Sequence, residues 1–350
     1  MSAEAIERHL VVSDAPVREV LARLEALGAD AVVFVVDAGG HLQSSLTDGD
    51  IRRGLIRGLT LDAPLSDYSQ PGVRCLQQFR FSIAELRALR EKDYGIVPVI
   101  DRQRRIVDIV NLRTQRSYLP LQAIIMAGGV GSRLRPLTDT IPKPLLEVGG
   151  RPILEYNVRR LAAFGIKHLT ISVRYRGQQI VDHFGDGSQY GLTIDYLWEQ
   201  QPRGTIGVVS DVEAFTARDV LIMNSDLLTT IDFEEMYDDM LAKSADMVVA
   251  TVPYEVKVPY GVVETVDERI VALREKPTYT YYSNAGIYMI SAGLLSRIPR
   301  EGMYTAPELI KDLCDSQYKV THFPIVNYWL DIGKPADYER AQRDISHLKI

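Results

Sequence analysis

The chain has 350 residues, of which 46% are hydrophobic and 25% charged, and its formal net charge is -6. That length suggests about two domains, each with its own core, and the mild acidity argues against a general nucleic-acid binder, which would be basic. No apolar run approaches the ~20 residues that span a bilayer, and the first residues lack the basic and apolar regions of a secretory signal, so a cytoplasmic protein with no membrane or nucleic-acid partner is expected. Cys75 and Cys314 form neither a metal-ligand spacing nor a disulfide framework.

Residues 1–118 hold 16 Lys+Arg and 16 Asp+Glu, so the whole net charge falls on 119–350. Polar, Arg-rich sequence ends near Tyr118, Pro120 discourages a continuing helix, and an apolar strand follows. The expected domains are therefore 1–118 and 119–350. Val17, Val20, Leu21, Leu24 and Leu27 predict a helix over 16–27. A strand over 31–36, a turn over 37–40, a second strand over 41–46 and a helix over 47–58 come next. The pattern returns about 65 residues later, with a helix near 82–89 and strands at 96–100 and 105–110. This is an internal duplication with too few copies for a solenoid.

Residues 45–53 of the first copy, with Thr47 and Asp50, and 94–101 of the second carry a family pattern. Over 5–115 the chain resembles a tandem cystathionine-β-synthase-type (CBS) module. That resemblance implies an adenine nucleotide as a further partner, its ribose held by Thr47 and Asp50. The residues themselves also fit a helix cap by Thr47 and a first-turn acid at Asp50. The second copy has Asn111-Leu-Arg-Thr114 at the equivalent place, which breaks the pattern. Nucleotide sensing and a structural or dimerising role both stay open.

The apolar run 121–127 reads as a buried parallel strand. It leads into Gly128-Gly-Val-Gly131, whose backbone N–H groups can line a phosphate cradle. Ser132 adds a hydroxyl and Arg133 a cationic fork suited to phosphate, and Pro142 and Pro144 stiffen the loop that carries Lys143. The loop lacks a Walker ending. A second apolar strand ends at Asp226, where open α/β sheets place ligands.

The run from Ala127 through Gly128, Gly129, Gly131, Ser132 and Arg133 to Thr138, with the segment 142–145, resembles the signature of sugar-1-phosphate nucleotidyltransferases, with Ser132 where that family usually has Thr. The resemblance extends over 121–345. It implies a Rossmann-like, mixed-sheet α/β nucleotidyltransferase domain, here preceded by the α+β tandem CBS domain. It also implies Mg²⁺ on Asp226 and Asp331, and sugar-phosphate contacts from Tyr260, Gly261, Glu275, Lys276 and Asn284. Its base-binding stretch is matched by Gly204, Thr205 and Gly207, while Arg203 and Ile206 depart from it.

Glu199 approaches that stretch and could accept both donors of guanine. Gln200 or Gln201 would suit uracil or thymine instead. The order of a CBS module and a transferase resembles guanylyltransferases of legionaminic-acid-type pathways, which implies GTP and glucosamine-1-phosphate or a related hexose phosphate as substrates. A thymidylyl- or uridylyltransferase and a catalytically inactive sensor or scaffold are the alternatives. Arg133, Lys143 and Asp226 are the expected catalytic set. With no hexapeptide repeat after the helix expected over 335–348, a fused acetyltransferase is not expected, and a homo-oligomer is.

Overall fold

Two small sheets are built by one chain pattern used twice. The structure is a computed structural model that describes residues 3–69, 72–113, 115, 117–212 and 215–348. After α1 (Ala3–Glu7), the first unit runs β1 (Leu10–Val12), α2 (Val17–Leu27), β2 (Val32–Val36), β3 (Leu42–Thr47) and α3 (Asp48–Ile56). After α4 (Leu65–Tyr68), the second runs β4 (Leu76–Gln77), α5 (Ile83–Glu91), β5 (Ile96–Ile100) and β6 (Ile106–Asn111). In each unit the first strand pairs parallel with the second, and the second antiparallel with the third.

The duplication is thus visible in strand direction as well as in sequence. β1 and β4 were not anticipated, because runs of three and two residues carry no period. The copies join through a bridge between His41 and Arg105, with Phe34, Leu42, Ile96, Ile100 and Ile109 buried between them. Thr114, in the divergent stretch of the second copy, lies outside the described residues.

The larger sheet begins at β7 (Leu121–Met126). The short β8 (Glu147–Val148) and β9 (Arg151–Pro152) precede α6 (Ile153–Ala163), β10 (His168–Val173), α7 (Gly177–Phe184), β11 (Thr193–Trp198) and β12 (Asp219–Asn224). Then come β13 (Leu227–Thr229), α8 (Phe233–Ala242), β14 (Met247–Lys257), β15 (Val262–Val266), β16 (Arg269–Arg274) and β17 (Thr278–Ser291). The last elements are α9 (Ala306–Asp315), β18 (Val320–Pro324), β19 (Trp329–Asp331) and α10 (Pro335–Asp344).

Seven strands align in the order β11-β10-β7-β12-β17-β14-β18. β17 alone runs against the rest of this sheet. This is the mixed, parallel-rich α/β sheet expected. β7 and β12 are buried through their centres, as strands covered on both faces must be. The chain reverses its order of addition between them, which is where such sheets bind ligands, beyond the carboxyl ends of the strands.

The two parts touch. Ile83 of α5 enters the core of the large sheet, and Arg87 pairs with Glu234 at 2.7 Å and with Asp238 at 2.6 Å on α8. No helix of the described residues is long and apolar enough to cross a membrane.

Candidate active site

The carboxyl ends of β7 and β12 lie level, with Met126 paired to Asn224 and the Ser225 N–H donating to the Met126 carbonyl at 3.2 Å. A glycine-rich loop and an acidic turn therefore leave the sheet side by side. Gly131 sits in the left-handed region at φ 66°, and an added Cβ would come within 2.9 Å of the Lys143 side chain. Only glycine suits this position, and its smallness lets Lys143 pack against the loop. The Thr138 hydroxyl closes the loop by donating to the Gly131 carbonyl at 2.9 Å.

Together these segments enclose a cleft of about 340 Å³, lined by Gly128, Gly129, Gly131, Ser132, Arg133, Lys143, Glu199, Gly204, Thr205 and Asp226. All ten are sequence-predicted site residues. Ala127 is fully buried beneath them.

Asp331 arrives by strand pairing. β13 and β19 run antiparallel, with Leu227 opposite Asp331, and the Ile332 N–H donates to the Asp226 carbonyl at 3.1 Å. The Lys143 ammonium pairs with Asp226 Oδ2 and lies 4.0 Å from Asp331 Oδ1. One lysine thus faces two acids. Asp226 Oδ1 and Asp331 Oδ1 are buried without a hydrogen-bond partner. Burial, and then the Asp226 charge, push the Asp331 carboxyl above its ordinary range, against the pull of Lys143 and Arg133. Buried acceptors short of donors, on hard oxygen ligands, fit a divalent cation.

Glu199 follows β11, and its carboxylate lies over Gly128, where an added Cβ would sit 2.4 Å from Oε1. Burial raises its carboxyl pKa, opposed by hydrogen bonds from Ser172 and the Arg203 backbone and by the charges of Arg174 and Arg203. Gln200 and Gln201 are exposed and do not line the cleft.

The two departures from the family stretch are structural. Ile206 is buried in the core beneath the loop. The Arg203 guanidinium reaches Asp211 at 3.1 Å and donates to the carbonyls of Gly302, Gly207 and Pro299 and to the Ser210 hydroxyl. It clamps the loop to the segment before α9.

Tyr260, Gly261, Glu275 and Lys276 lie apart from this lining, on the exposed segments flanking the β15–β16 hairpin. Gly261 and Glu275 are neighbours across it. Lys276 has φ 43° immediately before Pro277, a strained backbone of the kind that collects at functional positions. Asn284, also exposed, accepts from the Gly286 N–H at 2.9 Å. β14 and β17 both continue past the carboxyl end of β12, so this group stands on the ligand side of the sheet.

Thr47 and Asp50 are engaged with each other. The Asp50 carboxylate accepts from the Thr47 N–H at 2.9 Å and hydroxyl at 2.6 Å, and Arg53 donates to its other oxygen at 2.6 Å. This capping box starts α3.

Sequence reasoning missed Arg174 and Asn224, which also line the cleft, and Asn157 of α6. Asn224 could have been found, since it ends a buried parallel strand two positions before Asp226.

A model of the Nucleotidyl transferase family matches residues 122–347. The chain is 34% identical over 231 residues to a mannose-1-phosphate guanylyltransferase of Mycobacterium tuberculosis, a match covering 64% of each chain. It is 31% identical to a D-glycero-alpha-D-manno-heptose 1-phosphate guanylyltransferase of Aneurinibacillus thermoaerophilus, covering 65% of this chain and 99% of that one. The chain therefore spans just under two thirds of the Mycobacterium relative and nearly all of the second. HddC from Yersinia pseudotuberculosis shares the fold, with a TM-score of 0.51 and 24% identity, over 64% of this chain and 99% of that one.

Proposed function

The chain belongs to the nucleotidyl transferase family, and from that premise we propose that it transfers a guanylyl group from GTP to a hexosamine or hexose 1-phosphate, releasing pyrophosphate and an NDP-sugar. The observation that carries this reading is the convergence of the glycine-rich loop, Lys143 and two acids with unpartnered oxygens in one cleft. The 1-phosphate guanylyltransferases among the relatives support the choice of base and of a sugar phosphate.

A sugar phosphate oxygen attacks the α-phosphorus of the nucleotide, and the bond to pyrophosphate breaks. The attacking oxygen is already ionised, so no general base is needed. Catalysis is then positioning and charge neutralisation. The loop N–H groups and Ser132 bind the triphosphate. Arg133 neutralises the leaving pyrophosphate, and Lys143 bridges the reacting phosphates. Asp226 and Asp331 hold the divalent cation, read as Mg²⁺, which supplies Lewis-acid polarisation of the phosphate when bound. Tyr260, Gly261, Glu275 and Asn284 receive the sugar, and Lys276 meets its phosphate. Glu199 accepts from the ring N–H and amino group of guanine.

The duplicated N-terminal part is read as a CBS-like module, with 118/119 as the boundary. The mutual capping of Thr47 and Asp50 supports a structural role for these two residues over adenine-nucleotide binding. Light scattering at micromolar concentration tests the expected homo-oligomer, and a monomer mass would refute it.

The activity test is pyrophosphate release from each NTP with glucosamine-1-phosphate and mannose-1-phosphate, with and without Mg²⁺. GTP-dependent, metal-dependent release is expected. A clear preference for UTP or dTTP would reject the guanine reading, and no release from any NTP would favour a sensor or scaffold.

A further inference from the structure

Arg174 has no task in the scheme above. It follows directly on β10 and lines the cleft with Gly128 and Glu199. Its Nε is buried without a hydrogen-bond partner. Arg203, at the same loop, spends its donors on five surrounding residues. The other guanidinium nitrogens also have no hydrogen-bond partner among the described residues, and the side chain as a whole is only half-buried on the cleft wall, so acceptors brought by a ligand can meet them.

Its place in the sheet says which part of a ligand it meets. β10 and β12 flank β7 on opposite sides. Asp226 and Asp331 belong to the β12 side, whereas Arg174 and Glu199 follow β10 and β11. The charge of Arg174 reaches Glu199 and draws its carboxyl down, yet the two form no ion pair within 4.0 Å among the described residues. An acceptor pair and a cationic donor fork therefore stand beside one another, unjoined, on the side of the cleft opposite the two acids.

Guanine presents the complement along two adjoining edges that meet at O6: its amino group and ring N–H donate on one, and O6 and N7 accept on the other. We propose that Arg174 reads guanine by donating to O6 and N7 while Glu199 accepts from the ring N–H and amino group. This rests on the guanine reading above and adds to it a specificity-determining residue. A planar guanidinium matches these two acceptors with two parallel bonds. Adenine places a donor where O6 would be, and pyrimidines have no N7.

The test is equilibrium binding by titration calorimetry with GTP, 7-deaza-GTP and UTP, for the full chain and for Arg174→Gln and Arg174→Lys. 7-Deaza-GTP differs from GTP only in lacking the N7 acceptor. The unsubstituted protein should bind it roughly tenfold to a hundredfold more weakly than GTP, as befits a lost charge-assisted hydrogen bond. Arg174→Gln should weaken GTP binding by a similar factor and no longer distinguish the two. Arg174→Lys should not restore the full difference.

Equal binding of GTP and 7-deaza-GTP by the unsubstituted protein would overturn the proposal while leaving the guanine reading intact. So would an Arg174→Gln protein that still discriminates between them, since that places Arg174 elsewhere on the nucleotide. Preference for UTP over GTP in the unsubstituted protein would overturn both, and is read before any substitution is made.

Discussion

Asp331 reaches Asp226 because β19 pairs with β13, so that Leu227 faces Asp331 and the Ile332 N–H holds the Asp226 carbonyl. Two carboxylates distant in the chain are thereby fixed by backbone hydrogen bonds rather than by flexible side chains. Like charges so placed repel, and Lys143 offsets only part of that repulsion. The arrangement is stable enough to form, but it is poised to gain from a further cation.

Magnesium should therefore stabilise the fold. At a concentration about a hundred times its dissociation constant, linkage gives about 2.7 kcal/mol. Differential scanning fluorimetry should show a rise in Tm for the unsubstituted protein and little or none for Asp226→Asn. In excess chelator, Asp331→Asn should be at least as stable as the parent, because the repulsion is gone. An equal magnesium shift in Asp226→Asn would refute the site. Turnover in Asp226→Asn and in Lys143→Ala should fall by about a hundredfold or more.

The parts of this site written in contiguous sequence were legible in advance. The loop from Gly128 to Arg133, the stiffened Lys143 and the strand-end Asp226 each follow a local rule, and all line the same cleft. Asp331 has no such signal, since only the β13–β19 pairing makes it a neighbour of Asp226, and it was reached through the family frame. Arg203 and Ile206 looked like departures because their packing was invisible in sequence: one is a clamp, the other core. Arg174 and Asn157 could not be read at all. Nothing in a run of residues says that a guanidinium will lack a partner, or that a helix amide will meet a strand-end carbonyl.

Arg203→Ala should act on stability before it acts on selectivity. The side chain is 14% exposed, and its ion pair with Asp211 belongs to a network that ties 207–211 to 299–302. Losing it should cost roughly 1.5–3 kcal/mol, the scale for hydrogen bonds to a charged group. Lysine should not rescue it, because an ammonium cannot span the same acceptors. Urea denaturation measures the loss, and an unchanged midpoint would remove the clamp from the account.

Asn157 is a positioning residue on the same reasoning. It is 2% exposed on α6, and its amide donates to the Leu227 carbonyl at 2.9 Å, with the Ser225 carbonyl at 3.5 Å. It thus holds both sides of Asp226. Asn157→Ala should cost about 1–3 kcal/mol by leaving buried carbonyls short of a donor. Turnover should fall while the dissociation constant for GTP holds, since the nucleotide loop is untouched. A GTP affinity that fell in step with turnover would argue for general loosening instead.

Glu199 should make stability and activity respond to pH in opposite senses. Burial holds its carboxyl above the ordinary range even with Ser172, Arg174 and Arg203 beside it, so the folded state binds this proton more tightly than the unfolded chain does. Stability from this group is therefore greatest below the unfolded value and declines as pH rises through the raised folded one. Glu199→Gln should be more stable than the parent at neutral pH and show a flatter pH dependence of the urea midpoint. Recognition of guanine needs the ionised form, so kcat/KM for GTP should fall, as pH is lowered, sooner than an ordinary carboxylate would dictate. In Glu199→Gln that limb should vanish and the value at neutral pH should be lower throughout. A Glu199→Gln protein that lost stability at neutral pH would show that the hydrogen bonds and charges of Ser172, Arg203 and Arg174 outweigh burial, and would refute the raised carboxyl.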